Sequence, residues 1–168
     1  MKRTPGAALA LLAMSVVLPG GANAQSSTDP EDLGVSITLT DECTVSNIQD
    51  VAFGSHGNLA SAVTATGSVD VYCTTGLPYE IALDAGQGTG ATVAVRLMTG
   101  PNDATVAYSL FKDDQYQNVW GDDLVEQTTK AGTGTGSAQT HTIYGRVPVQ
   151  TTPASGLYSD TVTVVVHY

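Results

Sequence analysis

The side chains that could do acid–base or nucleophilic chemistry are few and far apart. Histidine occurs at His56, His141 and His167. Ser55 precedes His56, and with a distant carboxylate the pair could form a hydrolytic triad, because an imidazole can take a proton from a hydroxyl near neutral pH. The surrounding Gly54-Ser55-His56-Gly57 lacks the GxSxG spacing that lifts a serine onto a sharp strand-to-helix turn. Each histidine reads as a polar strand or loop residue, and no catalytic residue is assigned. The chain is expected not to be an enzyme.

Other groupings suggest ligands without completing a site. Asp113-Asp114 and Asp122-Asp123 flank Trp120. A calcium loop needs regularly spaced oxygens and a glycine at its sharp turn, and neither is found among these acids. They read as a solvated hairpin tip. Trp120 with Tyr116 could form a flat platform for a sugar ring, but packing into a core is the default for such a large apolar surface. Gly86, Gly88 and Gly90 have no lysine or helix after them, so they read as a turn rather than a phosphate loop. No cofactor and no metal are expected.

The elements that would hold these residues are strands. Apolar and polar residues alternate at Val69/Val71/Cys73, at Tyr79/Ile81/Leu83/Ala85, at Val93/Val95/Leu97 and at Val106/Tyr108/Leu110. The pattern returns at Ile143/Val147/Val149 and closes with Val162, Val164, Val166 and Tyr168. A period of two places one face on a core and the other toward water. Turn residues separate the runs, as at Thr75-Gly76-Leu77-Pro78, Gly100-Pro101-Asn102-Asp103 and Pro153-Ala154-Ser155-Gly156. Many short strands at this spacing predict an all-β antiparallel sandwich. Residues 124–130 could make one helical turn, and the glycine–threonine stretch at 131–137 reads as a loop. The final run ends on Tyr168, which suits a complete sandwich or one that lacks a strand another chain supplies.

Export is written at the other end. Lys2 and Arg3 precede an apolar stretch over residues 7–18; Pro19, Gly20 and Gly21 break it, and Ala22-Asn23-Ala24 supplies small residues for a signal peptidase. The stretch is too short for the roughly 20 residues a membrane span needs. Residues 1–24 are therefore expected to be a cleaved signal peptide, with no membrane span elsewhere. The remainder is about one domain in length. It retains Arg96, Lys112, Lys130 and Arg146 against all 16 acids, four minus sixteen, or −12. Without a basic face, nucleic acid and anionic membrane surfaces are unsuitable partners. Cys43 and Cys73 are the two cysteines. An isolated pair in an exported protein most often forms a disulfide, and two thiols without a CxxC or paired histidines make a poor zinc set.

Between leader and first cysteine, Leu33, Val35, Ile37 and Leu39 alternate with Gly34, Ser36, Thr38 and Thr40. Seven residues in extended conformation reach about 23 Å, enough to line one edge of a sandwich. The residues alone leave two readings open: the domain's own first strand, or a strand offered to another chain.

The motifs that follow resemble a known family. Asp41-Glu42-Cys43-Thr44-Val45 resembles the cysteine motif that opens spore coat protein U domains. Tyr72-Cys73 with Pro78-Tyr79-Glu80-Ile81-Ala82-Leu83-Asp84-Ala85-Gly86 is similar to that family's second-cysteine strand. Arg96-Leu97-Met98, the run from Val106 to Asp113, Val119-Trp120-Gly121 and the closing stretch from Gly156 to Val164 follow in family order. The family includes subunits of archaic chaperone–usher pili. The resemblance implies an incomplete immunoglobulin-like sandwich over residues 41–168, completed by donor-strand complementation, with residues 25–40 as N-terminal extension and donor strand. Leu33, Val35, Ile37 and Leu39 would then enter a neighbour's groove, and Val162, Val164, Val166 and Tyr168 would form the C-terminal core strand. The implied partners are a periplasmic pilus chaperone, an outer-membrane usher and neighbouring subunits in a head-to-tail polymer, with the chain exported through the periplasm to the cell surface. A secreted spore-coat or matrix protein and a monomeric carbohydrate-binding β-sandwich are the alternative expectations.

Overall fold

The computed structural model describes residues 28–123 and 127–168. The expected signal peptide at 1–24 and its new first residue, Gln25, lie outside the described residues, as do positions 124–126 of the suggested helical turn. The chain divides into two units, residues 1–37 and 38–168. In the first unit, residues 28–37 carry no assigned strand or helix. Leu33, Val35 and Ile37 there are 87%, 88% and 84% exposed.

Among its described residues the second unit has eight strands: β1 Cys43–Gln49, β2 Val63–Cys73, β3 Pro78–Leu83, β4 Arg96–Thr99, β5 Thr105–Phe111, β6 Lys130–Thr133, β7 Ala138–Val147 and β8 Val164–His167. They form a five-stranded sheet in the order β1-β2-β7-β5-β4 and a three-stranded sheet in the order β6-β3-β8. Every pairing is antiparallel. The longest ladder joins β2 to β7, from Val63 opposite Val147 to Tyr72 opposite Ala138. The result is an all-β partial sandwich, with one 3-10 turn among the described residues, at Pro101–Asp103 between β4 and β5.

Side-chain alternation accounts for the core. Val69, Val71 and Cys73 of β2, Tyr79, Ile81 and Leu83 of β3, Val106, Tyr108 and Leu110 of β5, and Ile143 and Val147 of β7 are all buried, and Trp120 packs with them. Fully burying an aliphatic or aromatic side chain of this size is worth about 1.5–3 kcal/mol relative to leaving it in water. Trp120 is fully buried; its indole N–H donates to the Ile81 carbonyl at 2.9 Å, which satisfies the polar edge of the ring.

Val149 lies past β7 and Tyr168 past β8, and both are exposed rather than in the core faces expected of them; beyond these, two segments depart from the pattern read in the sequence. The expected loop at 131–137 begins as strand, because Lys130–Thr133 is β6 and pairs with β3. Gly132 is there for space rather than flexibility: a Cβ at this position would come within 2.3 Å of the Tyr79 ring. The second departure lies in the run Val93/Val95/Leu97. β4 starts only at Arg96, and the inward position is taken by Arg96 itself, with 0% exposure, while Val95 is 50% exposed.

Arg96 makes four hydrogen bonds to backbone carbonyls. Nε donates to Asp84 O at 2.8 Å, Nη1 to Val93 O at 2.9 Å, and Nη2 to Leu83 O at 2.9 Å and Trp120 O at 2.8 Å. A planar, multi-donor guanidinium suits this task in a way an ammonium does not. Burial lowers its pKa, and Tyr108 and the nearby carboxylates Asp84, Asp122 and Asp160 oppose that shift.

Candidate functional site

The incomplete part of the fold is one side of the sandwich. β1 is an edge of the larger sheet and β8 an edge of the smaller, and the two approach each other without pairing. β8 is hydrogen-bonded to β3, with Leu83 opposite Val164 and Ile81 opposite Val166. Among the described residues, no strand pairs with its other side. Main-chain donors and acceptors on a free edge are a template for another strand.

The side chains beside this edge are apolar and half-covered. Cys43 and Val45 of β1, with Val164 and Val166 of β8, pack against the core while remaining partly exposed, and Val162 just before β8 does the same. Val165 on the other face of β8 is 42% exposed, and Tyr168 lies beyond the strand at 63%. Leu39, the last residue of the N-terminal alternating run, is 81% exposed.

Polar bonds fix the position of this edge. Cys43 and Cys73 stand opposite each other in the β1–β2 ladder and are joined by a disulfide. At the other end, the Thr163 N–H donates to the Asp84 carboxylate at 2.9 Å, and the Asp84 N–H donates to Thr163 O at 3.1 Å. Burial pushes the Asp84 carboxyl up in pKa, but hydrogen bonds from Thr163 and Gly86, with the Arg96 charge, outweigh it and leave the group below its ordinary value. The Asp160 carboxylate accepts from Tyr108 Oη at 2.8 Å and from the Gln87 N–H at 2.7 Å, holding the approach to β8. Burial and the Asp160 carboxylate both push the Tyr108 phenol well up. The opposite edge of the smaller sheet is treated differently. Just ahead of β6, Lys112 Nζ donates to Gln127 O at 2.9 Å and Thr129 O at 3.1 Å, so a lysine occupies carbonyls there.

The residues singled out for chemistry are dispersed. His56 lies 2.7 Å through Nε2 from the Phe53 carbonyl, His167 stands opposite Glu80 in the β3–β8 ladder, and His141 is 2.9 Å through Nε2 from Tyr79 Oη. Burial, then the Lys130 charge, lowers the His141 pKa, while Asp70 acts against them. The Asp113 carboxylate accepts from the N–H groups of Gln117 and Asn118 at 3.1 and 2.8 Å, as a turn-former does. Full burial of Trp120 removes it from any sugar platform. Among the described residues, no group of three or more His, Cys, Asp or Glu is placed to hold a metal ion, and no helix is long and apolar enough to cross a membrane.

The arrangement defines a class: an immunoglobulin-like partial sandwich with one strand edge unpaired among its described residues and apolar side chains beside it. The spore coat protein U domain matches residues 30–165, and the chain belongs to that family. It is similar to a chain in the crystal structure of the CsuC–CsuE chaperone–tip adhesion subunit pre-assembly complex from archaic chaperone–usher Csu pili of Acinetobacter baumannii, with 25% identity and a TM-score of 0.56. That similarity covers 78% of this chain and 40% of the other, so the present chain spans well under half of its relative's length. No curated protein matches.

Proposed function

We propose that this chain is a structural, non-enzymatic subunit of a surface pilus, assembled by the chaperone–usher route through donor-strand exchange and supporting adhesion or biofilm formation. Residues 1–24 direct export, residues 25–40 are the extension that carries the donor strand, and residues 41–168 form the accepting domain. A periplasmic chaperone covers the open edge first. An outer-membrane usher then exchanges it for the extension of the next subunit, and the finished polymer stands on the cell surface.

One observation carries this reading. Among the described residues the chain has an exposed apolar stripe, Leu33, Val35, Ile37 and Leu39 at 81–88% exposure, and an unpaired apolar edge at β8 that lacks a strand. Each is costly alone and complementary to the other. Burying four such side chains is worth about 6–12 kcal/mol before ordering costs, and strand addition supplies main-chain hydrogen bonds as well. A head-to-tail contact of this kind does not close on itself, so it propagates. The similarity to a chain of a chaperone–subunit pre-assembly complex supports the same reading.

The test removes residues 25–40 from the mature chain. The truncated domain should still be held by a periplasmic chaperone and should bind a synthetic peptide of residues 33–40, yet be unable to add to a neighbour. A truncated domain that unfolds, beside a full mature chain that is a stable chaperone-free monomer, would overturn the proposal.

A further inference from the structure

The segment leaving β1 does something the alternating pattern does not announce. After Gln49 the chain crosses the inner face of the larger sheet, and two strand glycines make room for it. A Cβ on Gly67 of β2 would come within 2.4 Å of Gln49 O and 2.8 Å of Val51 Cγ2. A Cβ on Gly145 of β7 would come within 2.4 Å of Val51 Cγ1 and 2.9 Å of Phe53 Cζ. Phe53 then packs edge-on to Tyr108 of β5, ring centroids 6.2 Å apart. Both glycines are buried, while Val51 and Phe53 are only half-buried. Glycine in a strand interior costs stability unless another backbone or side chain must approach closely, and here one does.

We infer that Val51 and Phe53 are a built-in stop for the incoming strand, closing one end of the acceptor groove. This rests on the donor-strand reading and specifies its site. At the disulfide end, Val69 and Val71 of β2 are fully buried and Val45 stands opposite Val71 in the β1–β2 ladder, so a side chain inserted there meets deep core. At the other end, the floor over Gly67 and Gly145 is already occupied by Val51 and Phe53. A side chain arriving there finds a shallow seat. The four donor positions are therefore unequal: those at the disulfide end hold the strand, and those at the Val51–Phe53 end fix how far it slides. Because side chains alternate faces along a strand, a slip of one residue would turn every anchor outward, so a fixed stop gives a single register.

The experiment uses the mature subunit held by its chaperone, challenged with synthetic peptides of residues 33–40 carrying alanine in turn at positions 33, 35, 37 and 39. Exchange affinity should fall at least about tenfold for alanine at one end of the peptide and about twofold or less at the other. Phe53→Ala should make the tolerant end sensitive. Gly145→Ala, which pushes the same segment outward without removing its side chains, should weaken binding of the full peptide and spare one shortened by two residues at the tolerant end. Equal losses at all four positions, unchanged by either variant, would overturn the stop while leaving strand exchange in place. No binding of any peptide would instead remove the strand-exchange reading.

Discussion

The guanidinium of Arg96 donates to the carbonyl oxygen of Trp120 at 2.8 Å, in a part of the core where neither residue is exposed to solvent. Through Nη2 the same arginine also holds Leu83, the last residue of β3, and the Trp120 indole holds Ile81 in the same strand. One cation and one indole thus tie β4 and the 119–121 segment to the strand that carries β8.

Removing that cation should cost more than removing a surface charge. Arg96→Ala leaves two buried and two part-buried carbonyls short of donors and opens a void, for an expected loss of about 3–5 kcal/mol. Arg96→Lys should recover only part of it, since one ammonium cannot span the fork. Chemical denaturation followed by Trp120 fluorescence measures this directly, because the sequence contains one tryptophan.

Breaking the disulfide should destabilise the domain through its unfolded state. The bond closes a 30-residue separation, worth about 3–4 kcal/mol in the chain-entropy model. A Cys43→Ser/Cys73→Ser pair, compared with the parent by denaturant midpoint, should show a loss of that order. The first sites to gain hydrogen exchange should be the N–H groups of β1.

Acid should loosen the fold in two stages. His141 has a lowered pKa when folded, so the unfolded chain, with an ordinary histidine pKa near 6.5, takes up the proton more readily. Stability should therefore begin to fall as pH drops through about 6.5, and His141→Gln should flatten that part of the profile. Asp84 is also lowered, so its contribution is present above about pH 4 and is lost as pH falls through its folded value. Tm measured from pH 8 to pH 3 separates the stages, and Asp84→Asn should shrink the second, the remainder coming from Asp70 and Asp113, whose carboxyls hydrogen bonds also hold low.

A charge placed on either half of the proposed joint should stop assembly without unfolding the subunit. Ile37→Asp changes a residue that is 84% exposed, so the melting temperature of the domain should be unchanged while polymer length collapses. Val166→Asp on β8 should do the same from the acceptor side, at some cost in stability because Val166 packs partly on the core. Polymer length by electron microscopy, beside Tm, distinguishes the two.

Much of the fold was readable from alternation because every buried residue of β2 and β5 sits at the parity the sequence displays, and Trp120 next to Gly121 behaves as a core residue. The misses have physical causes. Arg96 looks like a stray surface cation, since nothing in its own strand announces that carbonyls of Leu83, Asp84 and Trp120, from elsewhere in the chain, will meet it together with that of Val93. The stretch at 131–137 looks like a loop because its glycines suggest freedom, whereas Gly132 is required by the Tyr79 ring on a different strand. Val51 and Phe53 belong to no alternating run, and their role depends on Gly67 and Gly145 far along the chain. Alternation reports which face of a strand is buried; it is silent on what crosses between sheets.

The disulfide also decides how the subunit bears tension. A pull on residue 40 would ordinarily peel β1 from β2 one rung at a time, beginning with Cys43 and Cys73. That first rung is covalent, and immediately before it the N–H of Glu42 donates to Thr74 Oγ1 at 3.1 Å while the N–H of Thr74 donates to Glu42 O at 3.0 Å. Unzipping is blocked where it would start. In the proposed polymer, force would pass instead through the disulfide into β2 and its long ladder with β7, so the fastening at Cys43 would keep the extension joined to the sheet under load.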